Sequence, residues 1–322
     1  MRVATKISPT SHSAFQRTTP STRFTLSPTR TVATLARMSA TPSPSDWLSQ
    51  DSRRMLHAVY RVGAMDDYIK YMQDCFGMKL LRYRDIPDEK YSNAFLGYGP
   101  EDTHFAIELT YNYGVESYDL GTGFGHFGIA VNDVYKTVDS VKAKNGKVTR
   151  EPGPVKGGKS TIAFVEDPTG YKWELIGREG AIPEPLAQVM LRVGDLDKAI
   201  KFYTEVLGMR LLRTRENPEY KYTLAFLGYG DEDKSTVFEL TYNWGTTSYD
   251  KGTGYAQVAV STKDVYKTAE QIKAAGGVVT REPGPVPGIG TKICACVDPD
   301  GWKIVFVDEE DFMKELEGAK GV

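Results

Sequence analysis

Two histidines and two glutamates stand apart between positions 57 and 174 of this 322-residue chain: His57, Glu108, His126 and Glu174. Each lies in a short apolar run, respectively LHAVYRV, ELTYN, GHFGIAV and KWELI, where a strand is the expected conformation. Imidazole nitrogen and carboxylate oxygen are the donors that hold a divalent cation such as Ni²⁺, Co²⁺ or Zn²⁺. A carboxylate amid apolar neighbours is also costly to bury without a partner. Taken singly, each is more often a structural histidine or an ion-paired glutamate than a ligand. Their positions in a repeat make them informative.

Residues 56–178 recur at 187–309 with no gap and a constant offset of 131, so that Arg61 meets Arg192, AFLGYG at 94 meets 225 and REPGPV at 150 meets 281. At that offset His57 faces Gln188, Glu108 faces Glu239, His126 faces Gln257 and Glu174 faces Val305. The second copy keeps its frame while losing some donors. Two related sites are expected, of which one has lost a ligand.

The elements that must carry these residues repeat on a finer scale. A run at 56–62 is followed by a helical pattern at 66–76 that ends at Gly77, then by strand-like runs at 78–84, 93–98 and 104–110. The same order returns with a strand at 126–131, a helix from the cap Asp133 to near Gly146, and strands near 147–150, 160–165 and 172–176. Four β-α-β-β-β modules therefore make two α+β domains, at 55–178 and 187–312, joined by the proline-containing linker at 177–187. Connections between consecutive strands are too short for parallel crossovers, so the sheets should be mainly antiparallel. Each histidine lies on the first strand of its module and each glutamate on the last, where both can project into one concave face.

Composition narrows the function. Lysine and arginine number 40 against 42 acidic residues, which offers no basic face to nucleic acid. No apolar run approaches the ~20 residues of a membrane-spanning helix. Three cysteines, Cys75, Cys294 and Cys296, are too few for a disulfide framework; the C-x-C pair reads as ordinary strand packing. Up to Ala40 there is no acidic residue, while Arg2, Lys6, Arg17, Arg23, Arg30 and Arg37 are scattered among serines and threonines. Residues 1–45 are therefore expected to be a transit peptide outside the fold, with plastid favoured over mitochondrion.

LHAVYRVG, NAFLGYGPED, ELTYNYG, GTGFGHFGIAV, REPGPVKGG and EDPTGYKWELI together resemble glyoxalase I, lactoylglutathione lyase, in its duplicated two-domain plant and algal form. The likeness spans the chain after residue 55. It implies the vicinal oxygen chelate fold, with curved sheets, and isomerisation of the glutathione–methylglyoxal hemithioacetal to S-D-lactoylglutathione at a divalent metal. It also implies that each site joins the first module of one domain to the second module of the other. One cleft would then hold His126, Glu174, Gln188 and Glu239, a complete set. Its twin would hold His57, Glu108, Gln257 and Val305, and valine cannot bind a metal. A within-copy set of His57, Glu108, His126 and Glu174 is the alternative.

The resemblance assigns proton transfer through an enediolate to Glu174 and Glu239, with Glu174 as the base, and the compact form favours Ni²⁺ over Zn²⁺ or Co²⁺. Arg192 and Asn243 match positions that hold the glutathionyl part; Arg61 and Asn112 are their counterparts in the other cleft. Arg150, Lys156 and Lys159, in or beside a glycine-rich loop, are candidates for an anionic clamp. Gly153 to Ser160 also satisfies the nucleotide pattern G-x-x-x-x-G-K-[ST], but a strand-like run follows instead of a helix and the second copy breaks it. An extradiol-type dioxygenase, or a non-catalytic ligand-binding protein of the same fold, are the rival functions. A duplicated chain can assemble internally what a dimer would supply, so a monomer is expected.

Overall fold

The computed structural model describes residues 44–155 and 160–319. A short helix α1 (Pro44–Gln50) precedes the first module: β1 (Met55–Arg61), α2 (Met65–Phe76), β2 (Lys79–Ile86), β3 (Tyr91–Gly97) and β4 (Ala106–Asn112). The second module is β5 (Phe124–Val131), α3 (Val134–Ala143), β6 (Lys147–Pro154), β7 (Thr161–Glu166) and β8 (Lys172–Gly177). In the second copy follow β9 (Leu186–Arg192), α4 (Leu196–Lys201, prolonged by a π-helical turn at Phe202–Val206), β10 (Arg210–Asn217), β11 (Tyr222–Gly228) and β12 (Val237–Asn243). The last module is β13 (Tyr255–Thr262), α5 (Val265–Ala274), β14 (Val278–Pro285), β15 (Lys292–Val297) and β16 (Lys303–Asp308), and helix α6 (Glu309–Ala319) follows it.

Local sequence explains the helices. In α2 the buried residues Met65, Tyr68, Met72, Cys75 and Phe76 fall on one face, and Gly77 stops the helix at φ 68°, a left-handed value that costs glycine nothing. Asp133 caps α3 by accepting a hydrogen bond from the Lys136 amide, and Asp264 caps α5 in the same way.

Among the described residues, sixteen strands form two eight-stranded sheets, ordered β14-β15-β16-β13-β1-β4-β3-β2 and β10-β11-β12-β9-β5-β8-β7-β6. Neither sheet belongs to one copy. The first joins module one to module four through antiparallel β1 and β13; the second joins module two to module three through antiparallel β5 and β9. Most neighbours are antiparallel, and within each module the first and last strands pair in parallel, as β5 does with β8. Tyr60 of the first sheet packs against Phe127 and Trp173 of the second, with ring centroids 5.3 and 6.5 Å apart, so one aromatic core lies between the sheets. Cys294 and Cys296 are free and buried in β15, consistent with packing alone. Among the described residues, the next element after β6 is strand β7, and no helix N-terminus stands there to cradle a phosphate.

Candidate active site

Four neighbouring strands, β12, β9, β5 and β8, run through the middle of the second sheet. Gly128 of β5 is opposite Gln188 of β9 and Glu174 of β8, and Glu239 of β12 is opposite Met190 of β9. That register brings His126, Glu174, Gln188 and Glu239 to one point. Gly128 permits it: a Cβ there would stand 2.3 Å from the Gln188 Cγ. Asp167 anchors the start of β8, accepting hydrogen bonds from the Tyr171 amide at 3.0 Å and from the Trp173 indole at 3.2 Å, and so fixes the strand that carries Glu174.

All four side chains are buried or nearly so. Gln188 Nε2 donates to Glu174 Oε2 at 2.9 Å and to Glu239 Oε2, and lies 3.2 Å from His126 Nε2. His126 Nε2 is 3.1 Å from Glu174 Oε2 and 3.7 Å from Glu239 Oε2. Burial lowers the His126 pKa, but hydrogen bonds and charge from the two glutamates outweigh it and raise it to about 9.

The residues fit a divalent cation. One donor atom from each of His126, Glu174 and Glu239 lies within 4.8 Å of the others, and two buried carboxylates converging on one point favour positive charge between them. The Gln188 amide faces both carboxylates with its nitrogen; turned over, it presents its oxygen to the same point. His126, Glu174, Gln188 and Glu239 could thus hold the divalent metal that the resemblance implies.

These residues form the floor of a cavity of about 720 Å³ that also includes Arg150, Arg192 and Asn243. Arg192 donates through Nη1 to the carbonyls of Thr122 and Phe124, and Asn243 donates to the Tyr249 hydroxyl at 2.9 Å. Lys156 and Lys159 lie outside the described residues. Sequence reasoning missed three arginines in this cavity, Arg178, Arg213 and Arg215. Arg213 lies over the Phe226 ring and pairs twice with Glu232 at 2.7 Å. The alternating pattern of β10 could have revealed Arg213 and Arg215, whereas Arg178 falls in what reads as linker.

The other sheet builds the twin cleft, a smaller cavity of about 300 Å³ lined by His57, Glu108, Gln257, Val305, Arg61 and Asn112. His57 Nε2 is 3.1 Å from Glu108 Oε2, and Asn93 Nδ2 donates to Glu108 Oε1 at 2.7 Å. Burial raises the Glu108 pKa, but the hydrogen bond and charge of His57, with Arg84 and Arg82, outweigh it and leave it lowered. Val305 packs with Leu56, Ala259, Ala295, Val307 and Phe312. Glu315 of α6 pairs with both Arg82 and Arg84 and accepts from Thr291 at 2.8 Å, capping this cleft with the chain's own carboxylate. His57 and Glu108 are thus in one sheet and His126 and Glu174 in the other; the within-copy set is not assembled.

Comparison with known proteins agrees with this architecture. The family model of the Glyoxalase/Bleomycin resistance protein/Dioxygenase superfamily matches residues 54–175 and 186–306. A probable chloroplastic lactoylglutathione lyase of Arabidopsis thaliana is 72% identical over 271 residues, 84% of this chain and 77% of the relative. The lactoylglutathione lyase of Oryza sativa is 62% identical over 277 residues, 84% and 95% respectively. The crystal structure of glyoxalase I from Zea mays superposes with a TM-score of 0.84 at 64% identity, covering 86% of this chain and all of that one. With two matching domains and likeness of this degree along nearly the whole of such relatives, the chain belongs to the glyoxalase I family, enzymes with lactoylglutathione lyase activity.

Proposed function

We propose that the family reaction, isomerisation of the glutathione–methylglyoxal hemithioacetal to S-D-lactoylglutathione, runs in the cleft of His126, Glu174, Gln188 and Glu239 and not in its twin. The observation that carries this reading is the convergence of four donor side chains from both copies, against a twin in which Val305 occupies the fourth position. A bound divalent metal would supply Lewis acidity for the oxyanion that develops on the substrate.

Glu174 removes the carbon-bound proton, and the proton returns one carbon along from Glu174 or from Glu239, which also faces the cluster. His126, whose pKa the two glutamates raise to about 9, offsets part of their charge when protonated. Phe164, whose ring stands edge-on to the His126 imidazole at 5.3 Å, holds that ligand in orientation. Arg192 and Asn243 bind the glutathionyl part at one end of the cavity, with Arg150, Lys156 and Lys159 as a clamp on its anionic end. Arg61 and Asn112 are the corresponding pair of the second cleft.

Ni²⁺ is the proposed metal, with Zn²⁺ and Co²⁺ as alternatives. Chelator-stripped protein reconstituted with each ion and assayed for thioester formation tests this; full recovery with Zn²⁺ and little with Ni²⁺ would reject nickel. Both halves of each sheet come from one chain, which supports a monomer, and light scattering at micromolar concentration tests it. Domain limits of 55–178 and 187–312 rest on the repeat. Residues 1–45, the proposed plastid transit peptide, lie at and beyond the edge of the described residues; the name of the Arabidopsis relative supports the assignment. Among the described residues no helix is long and apolar enough to cross a membrane.

A further inference from the structure

Arg178 lines the same cavity as the four donors, and its Nη1 is buried with no hydrogen-bond partner among the described residues. A buried guanidinium nitrogen without an acceptor is costly, and an anion entering the cavity would satisfy it. Its backbone is held in place. The Arg178 amide donates to the Val131 carbonyl at 2.9 Å, and the Asn132 side chain donates to the carbonyls of Arg178 at 3.1 Å and Gly180 at 2.8 Å.

Strand direction puts Arg178 at one end of the cleft and Arg192 at the other. Gly128 is opposite both Glu174 and Gln188, and β8 runs parallel to β5 while β9 runs antiparallel. Arg178 follows Glu174 by four residues and Arg192 follows Gln188 by four, so each backbone lies ~13 Å from the donor cluster in opposite directions. The glutathionyl group is an extended tripeptide with sulfur in its middle and a carboxylate at each end, and spans ~10 Å. Arginines lining the cavity at both ends bracket that length.

The two ends differ in chemistry. Around Arg192 are Asn243, Asn217 and Tyr222, neutral groups that can meet the ammonium of an amino-acid head, and Arg215, in register with Arg192 through Thr241 and Leu224, is a second cation for its carboxylate. Around Arg178 are Arg150, Ser160 and the apolar Val155, Ile162 and Ile176, which suit a simple carboxylate. In the second copy the residue at this place is Glu309, of opposite charge, which begins α6.

We infer that Arg178 binds the glycine carboxylate of the glutathionyl group, an inference that rests on reading this cleft as the hemithioacetal site. S-hexylglutathione and its glycine ethyl ester, titrated calorimetrically into the wild-type chain, R178Q and R178K, provide the test. Replacing the charged donor is expected to weaken S-hexylglutathione binding by about 10- to 100-fold, with part recovered in R178K. The ester is expected to bind wild type correspondingly weakly and to lose nothing further in R178Q. Undiminished discrimination against the ester in either variant, or S-hexylglutathione binding in R178Q equal to wild type, would overturn the role of Arg178 while leaving the site intact. Absence of S-hexylglutathione binding to wild type would instead remove the reading of the cleft and this inference with it.

Discussion

Gln188 and Glu174 belong to different copies of the repeat, yet Gln188 Nε2 donates to Glu174 Oε2 at 2.9 Å inside one buried cluster. The contact exists because β5 of the first copy and β9 of the second are hydrogen-bonded neighbours. Loss of donors from the second copy therefore weakens one cleft selectively. His126 and Glu174 recruit Gln188 and Glu239, while His57 and Glu108 are left with Gln257 and Val305.

Metal removal should affect stability as well as activity. A cation bound among two buried carboxylates stabilises only the folded state, by an amount that grows with the ratio of its concentration to its Kd. Chelation should lower the thermal midpoint and abolish turnover, and Ni²⁺ should restore both. In Glu239→Leu the added ion should leave the midpoint unmoved.

Asp298, the counterpart of Asp167, accepts from the Trp302 amide at 2.7 Å and from the Tyr203 hydroxyl at 3.2 Å. Burial nevertheless outweighs those bonds and pushes its pKa up from 3.8 to about 7. The folded state thus binds the proton more tightly than the unfolded chain. The stability this contributes is complete below about pH 3.8 and is lost as pH rises through about 7. Urea midpoints of wild type and Asp298→Asn, measured between those limits, should show the wild type losing stability relative to the variant as pH rises. Parallel curves would contradict the assignment.

Arg53 and Asp51 form a buried pair at 2.7 Å beneath α5, where Asp51 also accepts from Thr262 at 2.6 Å and Arg53 donates to the Leu207 carbonyl at 3.0 Å. Arg53→Met leaves the Asp51 charge buried and unpaired, and should cost about 3–5 kcal/mol in denaturant unfolding. The double variant with Asp51→Asn should recover part of it.

Phe312 anchors α6 against Val305 and Val307, away from the cleft of His126 and Glu174. Phe312→Ala should cost about 3–5 kcal/mol of stability while kcat for the hemithioacetal stays near the wild-type value. A large fall in kcat at a temperature where the variant is folded would show that the capped cleft takes part in turnover.

Much of this fold is legible in the sequence. Strand alternation, the glycine stop at Gly77 and the Asp133 cap are local signals, and the elements they mark appear within a few residues of where they read. The relation between His126 and Gln188 was not local. Residue pattern alone admits the within-copy set equally, and only family resemblance pointed to strands of different copies pairing. Arg178 was missed because it follows a strand in a segment that reads as linker, and its importance depends on a burial that sequence does not record. Glu315 was missed for a related reason: α6 has no counterpart after the first copy, so the repeat gave it no position to compare.

The most direct measurement is kcat of the metal-reconstituted chain carrying Glu174→Gln, set beside that of Glu108→Gln. If catalysis belongs to the cleft of His126, Glu174, Gln188 and Glu239, Glu174→Gln should lose about 10²- to 10⁴-fold in kcat while Glu108→Gln keeps nearly all of it. Loss of activity in Glu108→Gln with Glu174→Gln unaffected would place the chemistry in the other cleft.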